Sequence, residues 1–222
     1  MALTLRALAL LLSYPAPAVR LHLRELRDAL HGEQALGIAR LAELDAMIAG
    51  IERQSAIDAE GDYVQLFDSG RSTSLHLFEH VHGDSRDRGP AMIDLAQMYE
   101  KAGLYLNEGE MPDHLPVVLE YASTQPAAAA RAFLAEIAHI LNVVFSALDK
   151  RGSRYASAVG AVLELAGEKT RPVTVPDDEP LDESWVEPAA FDGCSSKGQA
   201  KPGQTQAIRI VSGNPPVEGV RA

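Results

Sequence analysis

His76, Leu77, Phe78, Glu79 and His80 form an HxxEH string, the order used by one class of zinc peptidases, and it is the sharpest chemical possibility in this chain. On a helix His76 and His80 would share a face and both reach a metal, with Glu79 adjacent as general base. A third ligand would have to come from elsewhere, and no further ligand-type cluster signals one. Histidines paired with carboxylates in a groove wall account for the same residues without a metal. Ser72, Ser74 and Ser85 lie near histidines and aspartates, but the chain has no GxSxG elbow to support a hydrolytic triad. Neither a GxGxxG nor a Walker loop appears, so nothing supports a nucleotide pocket. The enzymatic alternative is thus a zinc-dependent hydrolase at 76–80, set against a binding function.

Charge is dense around the same string. From Tyr63 to Leu95, apolar residues such as Tyr63, Phe67, Leu75, Leu77 and Phe78 are numerous enough to bury the segment, which brings Arg71, Glu79, His80, Asp84, Arg86, Asp87 and Arg88 into or beside a core. Charges in such places need partners, internal or external, because unpaired ones cost several kcal/mol, on the order of ~3–5. SRDRG at 85–89 reads as an Asp87 helix cap flanked by solvated arginines, or as Arg86 and Arg88 gripping Glu79 or Asp84 through two-pronged guanidinium pairs. Further on, Asp113 is placed to cap the helix that follows. Pro116 in its first turn has no amide to give, so this cap would keep acceptor capacity for a cationic ligand group. His114 beside a positive helix end would resist protonation and present a neutral ring nitrogen. A cap plus a packed histidine explains both residues equally well.

These residues have to be positioned by helices. Leu3, Leu5, Leu8, Leu11 and Leu12 predict a first helix, apolar nearly all round and stopped at Tyr14 by Pro15. Val19, Leu23, Leu26 and Leu30 predict a second from Pro17, and Ile38, Leu41, Leu44, Ile48 and Ile51 a third. Glu60 to Phe67 follows as a fourth, ending in a polar loop, Asp68 to Ser74, that exposes Arg71. Gly89–Pro90 opens another that Gly103 closes, and MPDHLPVVLEYAS opens the next. Ala127 to Lys150 is the longest helical pattern, and Arg154 to Ala166 the last. With no strand alternation or hairpin signal before Gly167, the fold class is all-α, a single compact helical bundle over 1–167. Beyond it, 168–222 is rich in proline, glycine and acid and is expected to be a largely disordered tail. Within that tail, Leu181 to Phe191, with Trp185, is an apolar island that could dock, and TQAIRIV could add a short strand.

Composition narrows the partners. With 20 Lys and Arg against 31 Asp and Glu, the 222-residue chain carries a formal charge of −11, which repels a nucleic-acid backbone and favours a basic partner. The lone Cys194 makes no internal disulfide and no CxxC, consistent with a reducing compartment. The N-terminal apolar run is interrupted by Arg6 and ended by Pro15, too short to span a bilayer.

LLSYP at 11–15, YVQLFDSGRSTSLHLFEHVHGDSRDRG at 63–89 and MPDHLPVVLEYAS at 111–123, in this order, resemble the NarJ family of nitrate reductase assembly chaperones, related to the TorD and DmsD chaperones of molybdoenzymes. The resemblance covers most of residues 1–167, and LDESWVEP in the tail extends it. It implies a bundle of the TorD/NarJ type and a cytosolic, non-catalytic protein that binds unfolded client. The client would be the N-terminal segment of the apo catalytic (alpha) subunit of respiratory nitrate reductase, held open while the molybdenum cofactor is inserted and before membrane anchoring. The chaperone itself would keep no resident cofactor and bind no nucleic acid. Molybdenum cofactor biosynthesis proteins are a further partner class consistent with the resemblance. In related chaperones the shared Asp and His lie at the leader-peptide groove, which maps onto Asp113 and His114. Leu115, Glu120, Tyr63, Phe67, Arg71, Glu79 and His80 fall in the matching blocks and complete the expected peptide site, with Asp84, Arg86, Asp87 and Arg88 as its charge network.

Overall fold

The computed structural model describes residues 1–174 apart from Asp84. Among them are eleven α-helices: α1 (Ala2–Leu12), α2 (Pro17–Leu21), α3 (Leu23–Glu33), α4 (Ile38–Arg53), α5 (Ala56–Phe67), α6 (Leu77–Val81), α7 (Arg88–Lys101), α8 (Leu115–Thr124), α9 (Ala127–Glu136), α10 (Ala138–Lys150) and α11 (Ala156–Ala166). A short 3-10 turn, Arg71–Thr73, precedes α6. No strand ladder occurs among the described residues, and the fold is all-α as expected.

Two apolar helices make the centre. In α11 every residue except Glu164 is buried, because its alanines and Gly160 let neighbours approach closely while Val159, Val162, Leu163 and Leu165 fill the space between them. It packs against α10, α9, α4 and α1. The leucine-rich α1 is the second, with Leu5, Leu8, Leu11 and Leu12 inside and only Leu3 and Leu10 among its leucines exposed. Its main neighbours are α8 and α3. The first turn of α1 is held by Glu33, whose carboxylate accepts from the Thr4 N–H at 2.8 Å and the Thr4 hydroxyl at 2.6 Å. This satisfies free donors that a helix start leaves open.

Several boundaries differ from the sequence reading. The second predicted helix is broken at His22 into α2 and α3, with α2 turned so that Arg20 donates to the Ile51 and Gln54 carbonyls at the end of α4, at 2.9 and 2.7 Å. The long 127–150 pattern divides at Ile137, and α9 and α10 bend by 67°. A 3.6-residue period reports which face is apolar but is blind to a bend that directs each half to a different neighbour. Helix α5 starts at Ala56 rather than near Glu60, because Ser55 caps it by accepting from the Asp58 N–H at 3.1 Å. After Gly167, which ends α11 in the left-handed region at φ 83°, the chain does not leave at once. The Arg171 N–H donates to Asn142 Oδ1 at 2.7 Å and the Val173 N–H to Ser146 Oγ at 3.0 Å, so residues 171–173 run along α10. The apolar island at 181–191, Trp185, Cys194 and the TQAIRIV segment lie outside the described residues.

Candidate functional site

Two sequence segments expected to carry chemistry meet through the backbone. The Leu77 N–H donates to the Asp113 carbonyl at 3.0 Å and the Leu115 N–H to the Leu75 carbonyl at 2.9 Å, an isolated antiparallel bridge between His76 and His114. At its centre Asp113 is 0% exposed. One carboxylate oxygen accepts from the Phe78 N–H at 3.1 Å and the other lies 3.3 Å from His76 Nδ1. Arg88 reaches in from the start of α7, 3.8 Å from Asp113 and 3.5 Å from Glu79. A buried carboxylate is tolerable here because charged and neutral donors surround it.

This arrangement corrects the expected cap. The residue flanking α8 is His114, with no side-chain bond to the helix, while Asp113 turns back and caps the second residue of α6 across space. Its acceptor capacity is taken up inside the chain rather than left for a ligand. Leu115, 0% exposed, is a core residue beneath it. The ring of His114 stacks on that of His76, centroids 5.0 Å apart and planes 28° from parallel. Burial, and then the neighbouring His76, push His114 down to about 4. His76 moves the other way: its hydrogen bond to Asp113 raises it against the opposing effect of burial. One ring of the stack favours the proton and the other rejects it.

The metal reading fails on this geometry. His76 stands before α6 at its cap position rather than on a helix face with His80. His80 Nε2 lies 2.9 Å from the Ser74 carbonyl, which can only accept, so that nitrogen carries its hydrogen and offers no lone pair. Among the described residues no group of three His, Cys, Asp or Glu side chains is placed to hold a metal ion.

The other expected site residues are distributed. Of the SRDRG charges, Arg88 lies with Nη2 3.5 Å from a Glu79 carboxylate oxygen, an ion pair and not a two-pronged grip, whereas Arg86 and Asp87 are exposed. Asp87 occupies the cap position of α7 without a side-chain cap bond; its N–H donates to Ser85 Oγ at 3.2 Å instead. Asp84 lies outside the described residues. Arg71 opens the 3-10 turn and is exposed, as expected. Tyr63 and Phe67 are buried in an aromatic cluster with Tyr14 and Tyr155, where the Tyr63 hydroxyl donates to the last carbonyl of α1, Leu12, at 2.9 Å. Burial pushes the Tyr155 phenol up to about 12. Beside this cluster a cleft of about 560 Å³ opens between α4, α5 and the α10–α11 loop, lined by Leu66, Tyr155, Asp62 and Gln54 among others. Glu120 is exposed on α8. Tyr99 supports the Asp113 segment directly: buried at the end of α7, it donates its hydroxyl to the Pro112 carbonyl at 2.8 Å. No local pattern announces such a contact, because its partner belongs to another segment.

Comparison with known proteins agrees with the architecture. The family model described as "Nitrate reductase delta subunit" matches residues 15–159, a span that encloses both bridged segments. The chain is similar to the nitrate reductase molybdenum cofactor assembly chaperone NarJ of Escherichia coli K12, 44% identical over 156 residues that cover 70% of this chain and 66% of that protein. It is also similar to NarW of the same organism, 46% identical over 111 residues covering 50% and 48% of the two chains. The matched segment thus spans just under two thirds of the first relative's length and about half of the second's. A crystal structure of an Archaeoglobus fulgidus protein described as a redox enzyme maturation protein superposes with a TM-score of 0.52 at 23% identity, covering 76% of this chain and 94% of that one. At that identity the likeness establishes the fold alone. With its family match running from before α2 into α11, the chain belongs to the nitrate reductase delta subunit family, which the NarJ-type assembly chaperones resemble along the same stretch.

Proposed function

We propose that this protein is a cytoplasmic assembly chaperone that binds the N-terminal segment of the apo catalytic subunit of a respiratory nitrate reductase. It keeps the subunit open for insertion of the molybdenum cofactor before the complex is anchored at the membrane. The observation that carries the reading is the 44% identity over 156 residues with a nitrate reductase molybdenum cofactor assembly chaperone. No single helix among the described residues is long and apolar enough to cross a membrane.

The client-facing residues are those of the bridged segments that keep exposed surface: His76, Glu79, His80, Arg88 and His114, with Glu120 further along α8. Asp113 and Leu115 act through them, since both are buried and hold the backbone of the two segments together. Tyr63 and Phe67 similarly back the wall formed by Tyr155, and Arg71 is exposed at the start of the 3-10 turn. A releasable client needs only moderate affinity: around micromolar corresponds to about 8 kcal/mol, which a few anchors of roughly 2 kcal/mol each approach.

Calorimetry with a synthetic peptide of the catalytic subunit's N-terminal segment tests this. Binding in the micromolar range is expected, weakened on the order of tenfold by His114→Ala, as for a moderate anchor. Absence of binding at any concentration in that range would overturn the assignment.

A further inference from the structure

A small pocket lies where the end of α7, the connection 102–114 and α8 come together, and its lining is of an unusual kind. Tyr99 and Tyr121 form fixed walls: Tyr99 is anchored through its hydroxyl on Pro112, their rings are 4.9 Å apart, and Tyr121 is itself braced edge-on by Phe133 at 5.2 Å. Tyr105 stands at the mouth, 78% exposed. Glu110 and Glu120 also line the pocket. The connection is built to hold this shape. Gly103 and Gly109 take left-handed backbone at φ 79° and 86°, and Glu110 accepts from the Asn107 N–H at 2.8 Å while donating its own N–H back to the Asn107 carbonyl at 3.1 Å. The space inside is about 90 Å³, room for the head of one side chain and not for a ring system.

Partial burial and the nearby Glu110 raise the Glu120 acid, and the opposing cation, Arg6, is engaged with Ser123 Oγ at 3.3 Å. Two carboxylates that line the same small pocket as three tyrosines favour a cation there. A guanidinium or ammonium group relieves their repulsion and is attracted by the ring faces as well.

Resting on the reading of this chain as a peptide-binding chaperone, we infer that the Tyr99–Tyr105–Tyr121–Glu110–Glu120 pocket receives one basic side chain of the client's N-terminal segment. The pocket therefore selects among apolar peptides by charge at a single position. It lies on α8 beyond Asp113, so a peptide reaching both His114 and this pocket would run along that helix.

The test is a set of double-mutant cycles by calorimetry on the full chain. The probe is the synthetic client peptide, with each Lys and Arg replaced in turn by norleucine or citrulline. Glu120→Gln and Tyr105→Ala remove the charge and the mouth separately; both side chains are exposed, so the fold is retained. Glu25→Gln, at an exposed position of α3, reports the general effect of losing one negative charge. One peptide replacement is expected to weaken binding to the native protein by about fivefold, the range for a partly exposed cation–aromatic and ion pair. The same replacement should cost nearly nothing against Glu120→Gln or Tyr105→Ala, and its full amount against Glu25→Gln. Native binding with every peptide losing equally against all four proteins would overturn the pocket alone. Failure of the native chain to bind the unmodified peptide would overturn the peptide reading and the pocket with it.

Discussion

Asp113 shows what a single buried carboxylate can organise. By accepting from the Phe78 amide and from His76, with Arg88 at its edge, it fixes the start of α6, the start of α7 and the residue before α8 relative to one another. The stacked histidines beside it make the site sensitive to pH in both directions. His76 is raised, chiefly by its hydrogen bond to Asp113, so its contribution to stability is complete below the ordinary histidine value of 6.5 and is lost as pH rises through the raised value. His114 is lowered, chiefly by burial, so its contribution is complete above 6.5 and is lost as pH falls toward about 4. Asp113→Asn keeps an acceptor for the Phe78 amide but removes the charge. It is expected to cost about 1–3 kcal/mol at neutral pH and to abolish the loss of stability on the alkaline side, while the acid-side loss from His114 persists. Urea denaturation across this pH range measures both; an unchanged alkaline limb in Asp113→Asn would show that His76 draws no stability from this carboxylate. The histidine and aspartate identities were legible in the sequence as a chemical cluster. Their pairing was not, because Asp113 was read against its own helix and instead caps one that lies 35 residues away.

At the scale of elements, the sequence was most legible where one apolar face met one neighbour. Helices α4, α7 and α8 follow their predicted starts closely, since their period and terminal signals agree. It was least legible where an element turns. The breaks at His22 and Ile137 carry no proline or glycine, and what fixes them is the partner each half finds. Arg20 illustrates the consequence: the break before α3 leaves it able to satisfy two carbonyls at the open end of α4. Arg20→Met preserves the aliphatic packing and removes both hydrogen bonds. It is expected to lower stability by about 1–2 kcal/mol, and Arg20→Lys should recover only part of this, since a single ammonium head cannot span both carbonyls in the guanidinium's fork. The midpoint of denaturant unfolding decides; a native midpoint in Arg20→Met would show that α4 needs no such support.

For the whole molecule, a formal charge of −11 is a statement about encounter rather than about fold. It should draw a basic client segment to the bundle before any apolar contact forms. Raising the salt from about 0.05 to 0.5 M is therefore expected to slow association with the client peptide on the order of tenfold and to change dissociation much less. Stopped-flow fluorescence separates the two rates, and an association rate indifferent to salt would remove charge steering from the account. What the sequence determined by itself was the composition of each face: an acidic chain, helices with apolar stripes, a first helix apolar nearly all round, and a histidine-rich block too charged to be ordinary core. Such properties are local, written in residue type and period. Only the tertiary structure decided that Asp113 would face α6, that His76 and His114 would stack, that Tyr99 would brace the same segment, and that tyrosines and carboxylates would close a pocket at the end of α7. Each of those is a contact between residues distant along the chain, selected by the shared packing of all the helices and recorded in no single stretch of sequence.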